Sequence, residues 1–98
     1  GRTSKETPDF LYRTALCYLY TGHTLEAMAV AKYLADAFPK DQQYTPVTLL
    51  VVGNSLWTTY QNPKSTPEIK RDALENAMIM YKTYLKYCPT HEYAAAIA

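Results

Sequence analysis

The sequence predicts an all-α protein made of two antiparallel helical hairpins, and three observations predict this fold. The dipeptide Thr-Pro recurs, and each copy suits a helix start, because threonine can cap free amide groups and proline tolerates the first helical position. Two further prolines, Pro39 and Pro89, follow apolar stretches and indicate helix ends. Between these marks the apolar residues have helical spacing and show no long alternating pattern. The copies are Thr7-Pro8, Thr45-Pro46 and Thr66-Pro67.

The first hairpin is predicted to contain helices at 8–20 and 24–37. The first helix is followed by Gly22, and glycine favours the turn that ends a helix. This helix is apolar almost all round, which predicts that it is buried on several sides. The second helix carries one apolar stripe, which predicts its buried face. That stripe consists of Leu25, Met28, Ala31, Leu34 and Ala35.

The second hairpin is predicted to contain helices at 46–60 and 67–87. The first of these includes β-branched valines, but its Thr-Pro start and the apolar residues that continue to Tyr60 favour a helix over a strand. The second has Lys82 and Lys86 in its last turns, where cations interact well with the helix dipole. Its apolar stripe consists of Ile69, Ala73, Ala77, Met80, Tyr84 and Cys88.

Length and composition exclude several classes of protein. The 98 residues suffice for one domain, and 48% hydrophobic and 19% charged residues are typical of a folded globular chain. The formal net charge is +1, so we expect no nucleic-acid partner, since such proteins carry a strong basic excess. Runs without a polar side chain, such as 49–53, are far shorter than the ~20 residues of a membrane span, so no membrane insertion is expected. No leader is visible, and two cysteines are too few for a disulfide framework, which slightly favours a cytoplasmic location.

The two predicted hairpins show the same order of sequence features: a Thr-Pro pair, a helix, a short break, a second helix and a proline. The residues at corresponding places resemble a tetratricopeptide repeat, a helix–turn–helix unit of about 34 residues. The first unit, 7–39, carries the resemblance at Leu11, Ala15, Tyr18, Gly22, Ala27, Ala31 and Pro39. The second unit, 45–89, carries it at Leu49, Gly53, Leu56, Ala77, Tyr81 and Pro89. The resemblance implies that the hairpins stack as a short right-handed α-solenoid.

Small residues mark where paired helices are expected to approach closely. Ala15 and Ala27 serve the first hairpin, and Gly53 and Ala77 the second, because larger side chains would force the helices apart. A glycine inside a helix costs about 1 kcal/mol relative to alanine, so close packing is the expected reason for Gly53. The expected core is Leu11, Ala15, Tyr18, Ala27, Ala31, Leu34, Leu49, Gly53, Leu56, Ala77, Tyr81 and Tyr84.

The second unit departs from the repeat pattern by an insertion at 61–72. We expect it to form a loop and additional turns that lengthen the last helix of the hairpin. Residues 90–98 resemble the start of a following helix, and 1–6 resemble a linker or tag remnant. Two repeats with apolar end faces are rarely stable alone, so we expect the unit either to belong to a longer protein or to form a homodimer through those faces.

The sequence lacks the patterns of an enzyme or of a cofactor site. Its three glycines are scattered and form no phosphate-binding loop. Cys88 and His91 are the only close cysteine–histidine pair, and they supply two potential ligands where a structural zinc site needs four. A Cys–His nucleophile pair would also lack an orienting third group. We therefore expect no catalysis, no cofactor and no bound metal.

Two further groups of residues have simpler explanations. Glu68, Asp72 and Glu75 form an acidic cluster that basic residues interrupt, so a solvated helix face is expected. Cys17 and Cys88 are expected to be small, buried, apolar side chains, as free cysteines often are.

The tetratricopeptide resemblance implies a non-catalytic protein–protein interaction module. In that family the first helix of each unit lines a concave groove that holds a partner peptide or helix. Carried onto this sequence, the expected partner-binding residues are Tyr12, Arg13, Leu16, Tyr20, Leu50, Asn54 and Trp57. Some family members clamp a terminal carboxylate, but Tyr12, Leu16 and Val51 stand where polar or cationic groups would be needed. The groove is therefore expected to favour apolar or aromatic ligand residues. The alternative is a structural stacking or self-association unit, in which these aromatic residues pack against a neighbouring helix.

Overall fold

The structure of the protein, a computed structural model, describes residues 7–98. This part of the chain contains no strand and is 76% helical, which confirms the all-α prediction. The expected linker at 1–6 lies outside the described residues. The helices are α1 (Pro8–Tyr20), α2 (Thr24–Ala37), α3 (Tyr44–Gln61), α4 (Pro67–Tyr87) and the single turn α5 (Ala94–Ile97).

The helices pack as two neighbouring pairs. α1 pairs with α2, and α3 pairs with α4. Both helices of the first pair contact α3, α2 also reaches α4, and α5 packs on α4. The Cα atoms extend over 47 × 30 × 15 Å, and the short dimension fits two layers of helices whose axes are about 8–10 Å apart.

The turn between α1 and α2 follows from the glycine that the sequence places there. Gly22 has φ +81°, a conformation that side-chain-bearing residues rarely adopt. Its N–H donates to the carbonyl of Leu19, and the N–H of His23 donates to that of Tyr18. This pair of bonds ends α1 in a Schellman motif and reverses the chain into α2.

α3 begins earlier than predicted, at Tyr44 and not at Pro46. The Asp41 carboxylate accepts hydrogen bonds from the backbone N–H of Tyr44, at 2.6 Å, and of Thr45, at 2.9 Å. Asp41 thus caps the helix, and the buried Thr45 hydroxyl instead donates to the carbonyl of Phe38 at 2.8 Å. The predicted cap at this Thr-Pro pair is therefore wrong.

The other two threonine caps have different outcomes. Thr66 caps α4 as predicted, because its hydroxyl accepts from the N–H of Ile69 at 3.2 Å. The Thr7 hydroxyl instead donates to the Asp9 carboxylate at 2.5 Å and caps no amide. α4 has 21 residues against 14 for α2, so the last helix of the second pair is the longer of the two, as expected.

The core lies between the two helix pairs, largely as predicted. Ten of the twelve expected core residues are buried; Tyr18 and Tyr81 are only half-buried, because their rings pack at the edge of the core. The predicted list missed several buried residues on α2, α3 and α4. They include Met28, Ala35, Val52, Ala73 and Met80.

Three expectations about burial are wrong. α1 lies at one end of the bundle and buries only Leu11 and Ala15, so it is not enclosed on several sides. Cys17 is exposed, contrary to expectation, whereas Cys88 is buried as expected. Leu25 and Ile69 belong to the predicted buried stripes of α2 and α4, yet they are 69% and 49% exposed.

Candidate functional site

A shallow groove, which we call the α3 groove, crosses the outer face of α3. It consists of two depressions, one of about 310 Å³ between α1 and α3 and one of about 430 Å³ between α3 and α5. Both include Val51 and Asn54, so they adjoin on α3. The first is lined by Leu16, Leu19, Tyr20, Val51, Asn54, Ser55 and Thr58. The second is lined by Val47, Leu50, Val51, Asn54, Tyr93, Ala96 and Ile97.

Helical spacing explains why α3 presents these residues. Val47, Val51, Asn54 and Thr58 are separated by steps of three or four residues and therefore share one face. The opposite face carries the fully or nearly fully buried apolar residues of the core, including Leu49, Val52 and Leu56. α3 thus divides its surface between the core and the groove.

The α3 groove is apolar and neutral. Among the described residues that line it, the side chains are aliphatic, tyrosine, hydroxyl or amide groups, and none carries a charge. Such a surface favours apolar and aromatic ligand groups, with a few hydrogen bonds to fix orientation.

Asn54 is held in place at the junction of the two depressions. Its Oδ1 accepts a hydrogen bond from the Tyr81 hydroxyl at 2.5 Å. Burial raises the pKa of Tyr81 above its usual value of 10.0, so the hydroxyl remains a donor at neutral pH. The amide nitrogen of Asn54 then provides donor hydrogens on the surface of the groove.

Four of the seven predicted partner-binding residues line the groove: Leu16, Tyr20, Leu50 and Asn54. Tyr20 and Asn54 are exposed, and Leu16 is half-buried. Leu50 is only 8% exposed and offers a ligand little more than its edge.

The other three predicted residues lie outside the two depressions. Tyr12 packs on Tyr44, with ring centroids 5.5 Å apart. Arg13 forms an ion pair with Asp9 at 3.1 Å, which engages its guanidinium within α1. A hydrogen bond from Thr7 and, to a smaller extent, the charge of Arg13 lower the pKa of Asp9, so this carboxylate stays charged at neutral pH.

Trp57 is 37% exposed and packs on Tyr60, with ring centroids 5.2 Å apart. It follows Gly53 and Asn54, the two α3 residues that face Tyr81, by one helical turn. Trp57 therefore lies on the α4 side of α3, beyond the groove.

The sequence prediction missed the contribution of α5. This helix is a single turn, yet Tyr93 and Ile97 form one wall of the larger depression. Its approach to α4 is fixed by the buried Tyr84, whose hydroxyl lies 2.6 Å from Nδ1 of His91. The proline at 89 and the alanine-rich end indicated a further helix, but no sequence pattern indicated where it would dock.

Other chemistry-bearing groups are dispersed in the described part of the chain. Within 7–98 no group of three or more His, Cys, Asp or Glu side chains is placed to hold a metal ion. Cys17 and Cys88 are free thiols, and burial raises the pKa of Cys88 above its usual 9.0, which keeps this thiol protonated. No helix in these residues is both long and apolar enough to cross a membrane.

Comparisons of this chain with protein-family models, with curated proteins and with solved structures find no match. The tetratricopeptide resemblance therefore depends on the residues of this chain alone.

Proposed function

We propose that this chain is a non-catalytic protein-interaction module that binds a partner peptide or helix in the α3 groove. The observation that carries this proposal is the continuity of the groove. Two adjoining neutral depressions draw on three helices and share Val51 and Asn54. A continuous apolar path suits an extended or helical segment better than a compact small molecule.

We further propose that the two helix pairs are tetratricopeptide-like units, stacked in a right-handed sense. Three features support this proposal. α1 and α3, the first helices of the two pairs, pack against each other. Gly22 makes the tight turn within the first unit. Gly53, at the place where the first unit has the small residue Ala15, provides the close approach of α3 to α4.

The absence of charge among the described residues that line the groove favours an apolar ligand over a terminal carboxylate. A clamp for a terminal carboxylate needs cations directed at the ligand, and the one arginine of α1, Arg13, is paired with Asp9. The ligand we propose is a segment whose apolar or aromatic side chains fill the two depressions, with its backbone hydrogen-bonded by Asn54.

Selection of peptides from a random library on the immobilised protein tests this proposal. We expect the selected peptides to be rich in leucine and aromatic residues and to bind equally well with a free or an amidated C-terminus. Val51→Asp should weaken binding at least tenfold, because it places a charge against apolar ligand groups. The control Ile79→Asp, at an exposed apolar site on α4 outside the groove, should leave binding unchanged. Peptides that need a free C-terminal carboxylate would contradict the proposed ligand class.

The second candidate function is self-association through the ends of the bundle. It is favoured by exposed apolar residues on helices that do not touch each other, Phe10 on α1 and Met78 on α4. Sedimentation equilibrium at micromolar concentrations separates the two functions. A dimer that Met78→Lys converts to a monomer would support self-association, whereas a monomer at all concentrations would exclude it.

A further inference from the structure

A second depression lies on another face of the molecule. It has a volume of about 340 Å³ and lies between the first turn of α2, the end of α3 and the first half of α4. We call it the α2–α4 pocket. It is lined by Thr24, Leu25, Leu56, Thr59, Ile69, Asp72, Ala73, Glu75 and Asn76.

This pocket contains the two apolar residues whose exposure the helix patterns do not explain. Leu25 and Ile69 lie on the stripes that bury α2 and α4, yet they are 69% and 49% exposed. They come from different helices and converge on the same depression. An apolar pocket of this kind marks a place where a ligand can remove surface from water.

One side of the pocket is acidic. Asp72 and Glu75 are three residues apart on α4, which places their Cβ atoms about 5–6 Å from each other on neighbouring positions of the helix surface. The Asn76 side chain lines the pocket beside them. Carboxylate oxygens here can therefore approach a single ligand group from two positions.

No basic side chain of the described residues lines this pocket. Lys70 interrupts the acidic cluster in the sequence, but its ammonium donates to the Tyr60 carbonyl at 3.3 Å and is held against α3. Arg71 is not among the lining residues. The two carboxylates thus face the pocket without a basic neighbour in its wall.

We propose that the α2–α4 pocket binds an arginine side chain, together with a neighbouring apolar side chain, from a segment of a partner protein. The apolar stem of arginine matches the aliphatic walls, and its head complements the acidic side. A planar guanidinium has five N–H donors, so it can bond to both carboxylates at once, and it loses its hydration more readily than an ammonium. The volume is at the lower end of the roughly 300–1,000 Å³ of ligand pockets, which fits one or two side chains and not a long segment.

A matched pair of peptides tests this proposal by NMR titration of the ¹⁵N-labelled protein. The first is acetyl-Leu-Arg-amide, and the second is acetyl-Leu-citrulline-amide, which has the same shape without the charge. We expect the arginine peptide to bind about fivefold more tightly, as two exposed ion pairs allow, and to shift the amides of Leu25, Ala73 and Asn76. The difference should shrink between 20 mM and 500 mM salt, because screening weakens exposed charge pairs. Equal binding of the two peptides would overturn the proposal.

Protein variants locate the interaction. Asp72→Asn combined with Glu75→Gln should reduce binding of the arginine peptide to that of the citrulline peptide. Glu68→Gln is the control, since Glu68 is exposed on the same helix but does not line the pocket. The single variants Asp72→Asn and Glu75→Gln complete the comparison. If Glu68→Gln weakened binding of the arginine peptide as much as either of them, the attraction would be a general effect of the negative charge on α4, which would contradict a defined site.

A second comparison tests the apolar part of the site. Leu25→Ser should weaken binding about threefold, whereas Ile79→Ser, an exposed site on α4 outside the pocket, should have no effect. Acetyl-Arg-amide should bind more weakly than the leucine-containing peptide; equal binding would indicate a site for small guanidinium compounds and exclude a docking site. Val51→Asp, which tests the α3 groove, should leave these titrations unchanged, so the two proposals can fail separately.

Discussion

Tyr81 packs directly on Gly53, and only a glycine leaves room for the ring at its present position. A Cβ atom added to Gly53 would lie 2.9 Å from Cε1 of Tyr81 and 3.2 Å from Cβ of Met80. The neighbouring residue of α3, Asn54, accepts the hydrogen bond of the same tyrosine. This contact joins the packing of α3 on α4 to the α3 groove.

Gly53→Ala should therefore destabilise the protein, although alanine is the better helix former. The overpacking cost of about 1–3 kcal/mol exceeds the gain of about 1 kcal/mol in helix propensity. We expect a net loss of about 1 kcal/mol, or roughly 4–8 °C in melting temperature. In a Tyr81→Leu background the same substitution should cost much less, because the ring is gone. An equal cost in both backgrounds, measured by thermal unfolding, would show that the ring is not the obstacle.

Ala27→Leu should overpack the interface between α1 and α2. Ala27 is completely buried, so the added atoms have no free space to enter. The expected loss of stability is about 1–3 kcal/mol, measured by urea unfolding. Ala29→Leu, an exposed position on the same helix, is the control and should change stability by less than about 0.5 kcal/mol. Equal effects of the two substitutions would place Ala27 outside the interface.

Trp57→Ala should weaken the fold without unfolding it. The tryptophan is partly exposed and packs on Tyr60, and such aromatic pairs contribute about 0.5–1.5 kcal/mol beyond the area they bury. We expect a protein that is folded at room temperature and has lost about 1–2 kcal/mol of stability. Trp57→Phe should recover most of it. Circular dichroism at room temperature shows whether the Trp57→Ala variant is folded. An unfolded variant would mean that the side chain belongs to the core.

His91→Ala should loosen α5. The Tyr84 hydroxyl is buried, and an unpaired buried hydroxyl costs about 1–3 kcal/mol. We expect faster hydrogen exchange at the amides of α5, with little change in α1 and α2. Adding Tyr84→Phe removes the unpaired group and should partly restore protection. Exchange that accelerates equally in all helices would contradict a local role for this hydrogen bond.

Alkaline pH should destabilise the protein, because two tyrosine hydroxyls and one cysteine thiol hold their protons more tightly in the folded state than in the unfolded state. Burial raises the pKa of Tyr84 and Tyr81 above 10.0, and that of Cys88 above 9.0. The folded state holds these protons more tightly than the unfolded state. Stability is therefore fully present below about pH 9 and is lost as the pH rises through the raised values. Melting temperatures from pH 7 to 11 should show this decline, and Tyr84→Phe should reduce it. The exposed Tyr20→Phe is the control and should follow the parent protein.

The sequence predicts helix ends well where the signal is local. The bounds of α1, α2 and α4 agree with their predicted ends, because Pro8, Gly22 and the Thr66 cap each act within one turn of the chain. The predicted start of α3 is wrong, because the carboxylate of Asp41, which precedes the helix, accepts hydrogen bonds from its first amides. The Thr45 hydroxyl instead donates to the carbonyl of Phe38. Propensity alone cannot decide which of two nearby residues acts as the cap.

The candidate site is harder to predict, because it depends on which helices become neighbours. Helical spacing placed Leu16 and Asn54 on outward faces, and both line the α3 groove. The same spacing could not show that Arg13 would pair with Asp9, or that Trp57 would lie beyond the groove on the α4 side. The walls contributed by Tyr93 and Ile97 come from the docking of a helix too short to carry a pattern.

Because α5 is a single helical turn, the shape of the α3 groove depends on whether this turn is ordered. A single helical turn is not stable on its own, so α5 is ordered by its packing on α4. A ligand that fills the larger depression adds contacts to Tyr93 and Ile97. Part of its binding free energy is therefore used to order this turn. Affinity for such a ligand then depends on how firmly His91 is held by Tyr84, even if the ligand touches neither residue.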